Sequence, residues 1–155
     1  MTRSRSRLSV ALLVLGAACA GEGENVGVDV SRAVIAEPVL GERTVLYFDV
    51  SNARPDPDTL LDVDVGDLGA ASLHASEIED GVSRMRPRAA LELPPSGRVE
   101  LRPGGLHVMI EGLSRPLSVG DTVVFSVRLA RAGIVTARAP VVAYADLLEA
   151  LDSGP

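Results

Sequence analysis

An all-β fold is the class this sequence predicts, and three observations predict it. From residue 26 onward, short runs rich in Val, Ile, Thr and Leu alternate with turn residues, at a spacing of roughly eight to twelve residues. Helical periodicity is missing until the last segment. Apolar residues make up 46 % of the 155-residue chain, but aromatics only 3 %, and tryptophan does not occur. The core must therefore be built from Val, Leu, Ile and Ala, with Tyr47, Phe48 and Phe125 as its few large fillers. Such a pattern argues for one antiparallel sandwich or Greek-key barrel with terminal appendages, since two full cores would be crowded at this length.

Taken in order, the chain opens on what reads as an export signal. Arg3, Arg5 and Arg7 precede an apolar run over 8–15 and the small residues Gly16, Ala17 and Ala18. That run is too short to cross a bilayer as a permanent helix. The lone Cys19 follows at once and resembles the lipid-modified first residue of a bacterial lipoprotein, although Gly16 stands where an aliphatic residue is usual. The expected leader is 1–18, followed by a polar, glycine-rich tether over 19–25. Export implies an oxidising compartment, and a single cysteine excludes an intrachain disulfide. Strands are expected over 26–36, 44–51, 60–65, 72–78, 82–86, 99–101, 106–111, 122–130 and 136–142. Turn chemistry separates them, from Pro55-Asp56-Pro57-Asp58 through Asp80-Gly81 and Pro103-Gly104-Gly105 to Ala132-Gly133. In the tail, 143–155, the period changes: Tyr144, Leu147, Leu148 and Leu151 follow i, i+3, i+4, i+7 spacing, which predicts a short helix covering an open end of the sandwich.

Charge narrows the function classes. The formal net charge is −6, lysine does not occur, and loss of the leader would leave 12 arginines against 21 acids. Nucleic acid would be repelled, and anionic lipid offers no electrostatic pull, so membrane attachment would rest on a lipid at Cys19.

The only histidines, His74 and His107, fall in one pattern with the only internal methionines, Met85 and Met109: H-x10-M-x21-H-x-M. Two imidazoles and two thioethers form a soft, uncharged ligand set that suits Cu(I) better than hard cations. Hairpin geometry can place the first pair. An Asp80-Gly81 loop of type I′ makes paired residues sum to 161, so Ser76 faces Met85. His74 shares a face with Ser76 and becomes a diagonal neighbour of Met85, about 7–8 Å away. A one-residue slip would put the two on opposite faces. Pro87 should stop the ladder just past Met85, as on an edge strand. His107 and Met109 are two apart on one strand and share a face, while Val108 and Ile110 point into the core. Any one such His or Met is ordinary surface or core filler; the weight lies in the whole soft-ligand supply meeting in one arrangement.

At these residues the chain resembles the bacterial extracytoplasmic copper chaperones called PCu(A)C, whose signature is the same H-x10-M-x21-H-x-M. The segments 81–86, 99–113 and 120–123 resemble the family's shared blocks, and the likeness spans roughly residues 26–142. Two departures stand out: Ala75-Ser76 follows His74 where members often carry Glu and then Met or Thr, and the Met- and His-rich tail of some members is absent. The resemblance implies a cupredoxin-like β-sandwich that binds one Cu(I) through His74, Met85, His107 and Met109. It also implies a non-enzymatic role, passing copper to a cuproenzyme, in particular the CuA centre of cytochrome c oxidase, or to an assembly factor. Transfer by ligand exchange calls for an exposed site. Because copper needs neutral imidazoles, its affinity should fall as pH drops through the ordinary histidine range.

Other readings fit less well. A blue-copper carrier requires a cysteine thiolate beside two histidines, and Cys19 sits in the export segment. A Ser-His-Asp hydrolase has no histidine left, and catalytic zinc wants three His or carboxylate ligands. The carboxylates Asp56, Asp58, Asp62, Asp64 and Asp67 lack a calcium-loop pattern and read as a solvated face. Copper sequestration, or a structural or adhesive lipoprotein domain with a vestigial site, remain as alternatives.

Overall fold

The computed structural model describes residues 27–39 and 41–153. The expected leader, Cys19, the tether and the first residue of the first expected strand lie outside the described residues. Among those described, ten strands form: β1 (Val28–Ala36), β2 (Arg43–Asn52), β3 (Asp58–Asp64), β4 (Ala70–Glu79), β5 (Val82–Pro87), β6 (Leu91–Leu93), β7 (Gly97–Glu100), β8 (Leu106–Glu111), β9 (Thr122–Leu129) and β10 (Gly133–Val142). A single-turn 3-10 segment, Gly66–Leu68, precedes β4, and another, Tyr144–Asp146, leads into helix α1 (Leu147–Ser153). No helix among the described residues is long and apolar enough to cross a membrane.

The strands run in the order β5-β4-β8-β2-β1-β10-β9-β3-β6, with β7 extending β2 beyond the end of β8. The fold is an all-β sandwich. One layer is β5-β4-β8-β2-β1, the other β10-β9-β3-β6, and Phe48 of the first meets Phe125 of the second with ring centroids 5.4 Å apart. Pairing is antiparallel throughout except where β1 meets β10, with Ile35 opposite Val141 and Ala36 opposite Val142. An irregularity between Ser31 and Val34, where Arg32 has φ +50°, lets β1 leave one layer and close the other. Between the layers Leu46, Phe48, Val50, Val108 and Ile110 pack on Leu60, Phe125, Val127 and Val141, all of them at most 1 % exposed. Alternation sends the neighbours Val45, Tyr47, His107 and Met109 to the outer face.

Three differences from the sequence expectation have physical reasons. Strand β6 is an addition: its Leu-Glu-Leu is too short for a period to register, yet it pairs with β3 and buries Leu93 to 1 % exposure. Strand β3 begins at Asp58 rather than residue 60, because that aspartate is buried and accepts hydrogen bonds instead of being solvated. The C-terminal helix does not close an end of the sandwich. It packs on the outer face of the sheet, where Leu147 and Leu151 join Val34, Ala36 and Tyr47 in a second apolar cluster. Of the four residues in the expected stripe, Tyr144 and Leu148 stay exposed.

Candidate metal site

The outer face of β5, β4 and β8 carries all four soft side chains. The β4–β5 hairpin turns through Asp80 and Gly81, with φ of +52° and +78°, as a type I′ turn requires. The pairing is the one expected, with Ser76 opposite Met85, and β5 is an edge strand that ends at Pro87. Across β4 and β8, His74 stands directly opposite His107 and Ser72 opposite Met109. Strand β4 is therefore the middle of a three-strand platform, with Met85 to one side and His107 and Met109 to the other. The two imidazoles stack, with centroids 5.9 Å apart and planes inclined by 20°.

Hydrogen bonds orient each ring. His107 Nδ1 lies 3.0 Å from the Gly105 carbonyl, which can only accept, so in the neutral ring the proton sits on Nδ1 and Nε2 carries the lone pair. The same carbonyl accepts from the backbone N–H of Ser76 at 3.0 Å, so one oxygen ties both β4 and the His107 ring to the β7–β8 loop. Gly104, with φ +80°, makes that tight return possible. His74 Nε2 lies 3.0 Å from the Ser72 hydroxyl. This leaves His74 Nδ1 and His107 Nε2, both buried, without a hydrogen-bond partner among the described residues. A buried polar atom left unpaired costs about 1–3 kcal/mol. The two unpaired nitrogens sit on stacked rings, on the face that also carries Met85 and Met109.

Exposure is graded across the face. His107 is 4 % and Met109 9 % exposed, while Met85 is 49 % exposed on the edge strand. The exposed site expected from ligand exchange is thus open at its Met85 end and closed at its Met109 end. Tyr47 helps to close it, its ring 6.4 Å from His107 at 51°. Tyr47 is therefore not a filler of the main core, as composition alone suggests. Alternation with the inward Phe48 is the signal that it faces outward.

Below the hairpin, on the opposite face, Glu77 and Glu79 pair with Arg84, Arg86 and Arg88, among them Arg86 to Glu79 at 2.6 Å. Further along the outer face, Asp49 is fully buried and held by Arg32 at 2.7 Å and Arg102 at 2.6 Å. No spacing in the sequence announces that charge cluster. It fixes the irregular part of β1 and the start of the loop that carries Gly105.

The carboxylates of β3 and its flanks do not converge: among the described residues, no three His, Cys, Asp or Glu side chains are placed to hold a metal. One of them corrects the reading of a solvated face. Asp58 is 4 % exposed and accepts from the backbone N–H groups of Thr59 at 2.7 Å, and of Arg131 and Ala132 at 2.9 Å. Burial pushes its pKa up, but those three donors and nearby Arg54 outweigh burial and hold it below the ordinary value.

The copper-bound PCuAC domain from PmoF2 superposes with a TM-score of 0.64 at 29 % identity, covering 76 % of this chain and 93 % of that one. The CuI form of DR1885 from Deinococcus radiodurans matches with a TM-score of 0.56 at 26 % identity, over 77 % of this chain and 80 % of that one. In sequence, "Putative lipoprotein Lxx21020" of Leifsonia xyli subsp. xyli is 25 % identical over 116 residues, 74 % of this chain and 69 % of the relative. The fold is PCuAC-like, and a family profile matches residues 28–141: the chain belongs to the family described as "Putative lipoprotein LpqE-like".

Proposed function

We propose that the protein is an exported Cu(I) carrier, not an enzyme, which binds one ion through His74 Nδ1, His107 Nε2 and the thioethers of Met85 and Met109. The observation that carries this reading is the pair of buried, unpartnered ring nitrogens on stacked imidazoles. Thioethers are polarisable and do not titrate, and they hold Cu(I) where thiols would oxidise. Four neutral donors leave the bound ion with its single charge uncompensated, which favours a monovalent ion over divalent competitors. Platform strands fixed by the hairpin and the Gly105 carbonyl present the donors with little reorganisation. Copper enters and leaves past Met85, the donor on the open side, and an acceptor's thiolates displace the methionines stepwise. The copper forms of the similar PCuAC domains support copper as the cargo. The acceptor is proposed to be a cuproenzyme, in particular the CuA centre of cytochrome c oxidase. The lipoprotein descriptions of the family and of the Leifsonia relative support export with a lipid anchor at Cys19.

Competition with a chromophoric Cu(I) chelator tests the site. One tight ion per chain is expected, lost in His107→Ala and weakened in Met85→Leu; no binding, or binding indifferent to both changes, would overturn the reading. Transfer from the loaded protein to an apo CuA domain then separates delivery from storage.

A further inference from the structure

Helix α1 lies beyond residues 28–141, the span shared with the family, and the main core between the two layers contains none of its residues. It nonetheless reaches the metal face. Leu147 and Leu151, 3 % and 1 % exposed, share a buried cluster with Val34, Ala36 and Tyr47, which is itself 8 % exposed. The Tyr47 ring in turn lies 6.4 Å from His107, and His107 stacks on His74. A second contact runs beside the first: Val45 packs on the same helix-covered cluster and stands opposite Met109 in the β2–β8 register. Among the described residues, His74 and Met85 are not part of that cluster; one sits beside Ser72 and the other is half exposed.

We propose that α1 is a positioning brace for one half of the site: through Tyr47 and Val45 it holds His107 and Met109 in place, leaving His74 and Met85 as the adjustable half. Tyr47, Leu147 and Leu151 act through His107 and touch no cargo themselves. The contact is made by the Tyr47 ring, so its hydroxyl is dispensable. A fixed ring loses less freedom on binding, so bracing raises affinity without adding a donor. The affinity arm of this inference rests on the Cu(I) reading; the ring-order arm does not.

The test reads both arms on the whole protein. Imidazole NMR signals of His74 and His107 are recorded without metal, and Cu(I) affinity is measured by chelator competition. The variants are Leu147→Ala with Leu151→Ala, Tyr47→Leu and Tyr47→Phe. In the double variant, which keeps the Tyr47 ring, the His107 signals should broaden or shift more than those of His74; in Tyr47→Leu, where loss of the ring current alone moves shifts, they should broaden more. In both, affinity should fall about tenfold, as when a ligand's supporting contact is removed. Tyr47→Phe should keep both. Tyr47→Leu keeps the apolar cluster filled, so it reads the ring contact even if the double variant fails to fold. His107 line widths in Tyr47→Leu no broader than those of wild type would overturn the brace, whatever happens to thermal stability. If no variant and no wild-type protein bound Cu(I), the copper reading would fall while the ring signals still decided the brace.

Discussion

At the scale of single residues, the two methionines differ in exposure far more than in chemistry. Met85 is 49 % exposed and Met109 9 %. Peroxide transfers one oxygen to a thioether sulfur and leaves as water, and the rate follows access to the sulfur lone pairs. Limited peroxide should therefore convert Met85 to its sulfoxide well before Met109, as peptide mass spectrometry would read. Equal rates would mean that the face covered by Tyr47 and β2 opens in solution. Loading with Cu(I) should slow Met85 oxidation, because the lone pair would be engaged by the metal. The residues themselves are legible in the sequence, since two histidines and two internal methionines leave no choice of candidates. The atoms are not. Which nitrogen each ring offers depends on Gly105 and Ser72, and no spacing rule names a carbonyl two residues away as the partner of Nδ1.

At the scale of elements, the β4–β5 hairpin sets the site. Its register follows from two residues in positive-φ conformations, and an Asp-Gly pair between strand-like runs signals that turn from sequence alone. The His74–His107 opposition is beyond that arithmetic, because β4 and β8 are separated by β5, β6 and β7, and no turn links their registers. Inserting one alanine between Ser83 and Arg84 should carry Met85 to the opposite face, beside Glu77 and Glu79. Cu(I) affinity should then fall at least to the level of Met85→Leu, since Arg84 takes the place of Met85 on the metal face, while the hairpin, exposed along β5, costs the fold little. Affinity equal to wild type would show that Met85 is not a donor. Helix α1 teaches the complementary lesson. Its period is legible, but its docking place is not, because an i, i+3, i+4, i+7 stripe says that a face is buried and not against what.

At the scale of the whole molecule, the two layers are joined along one side by a short parallel pairing of β1 with β10, so elements that tie β3, β9 and β10 together matter for the closed sandwich. Asp58 is one such tie: from the start of β3 it takes three backbone N–H groups, two of them in the β9–β10 turn. Its pKa is lower in the folded protein than the ordinary value, despite burial, because those donors favour the charged form. The stabilisation it gives is therefore complete above the unfolded-state pKa of about 3.9 and is lost as pH falls through the lower folded-state value. Asp58→Asn, which cannot titrate, removes the charge from all three bonds and leaves at least one N–H group without an acceptor, should lower unfolding free energy near neutral pH by about 2 kcal/mol. Urea unfolding of both proteins between pH 7 and pH 2 checks the sign. The gap between them should hold constant down to about pH 4 and narrow below it, as the wild-type carboxylate takes up its proton. A gap that widened on acidification would mean that Asp58 is held neutral in the fold, and that the three N–H groups do not govern its charge.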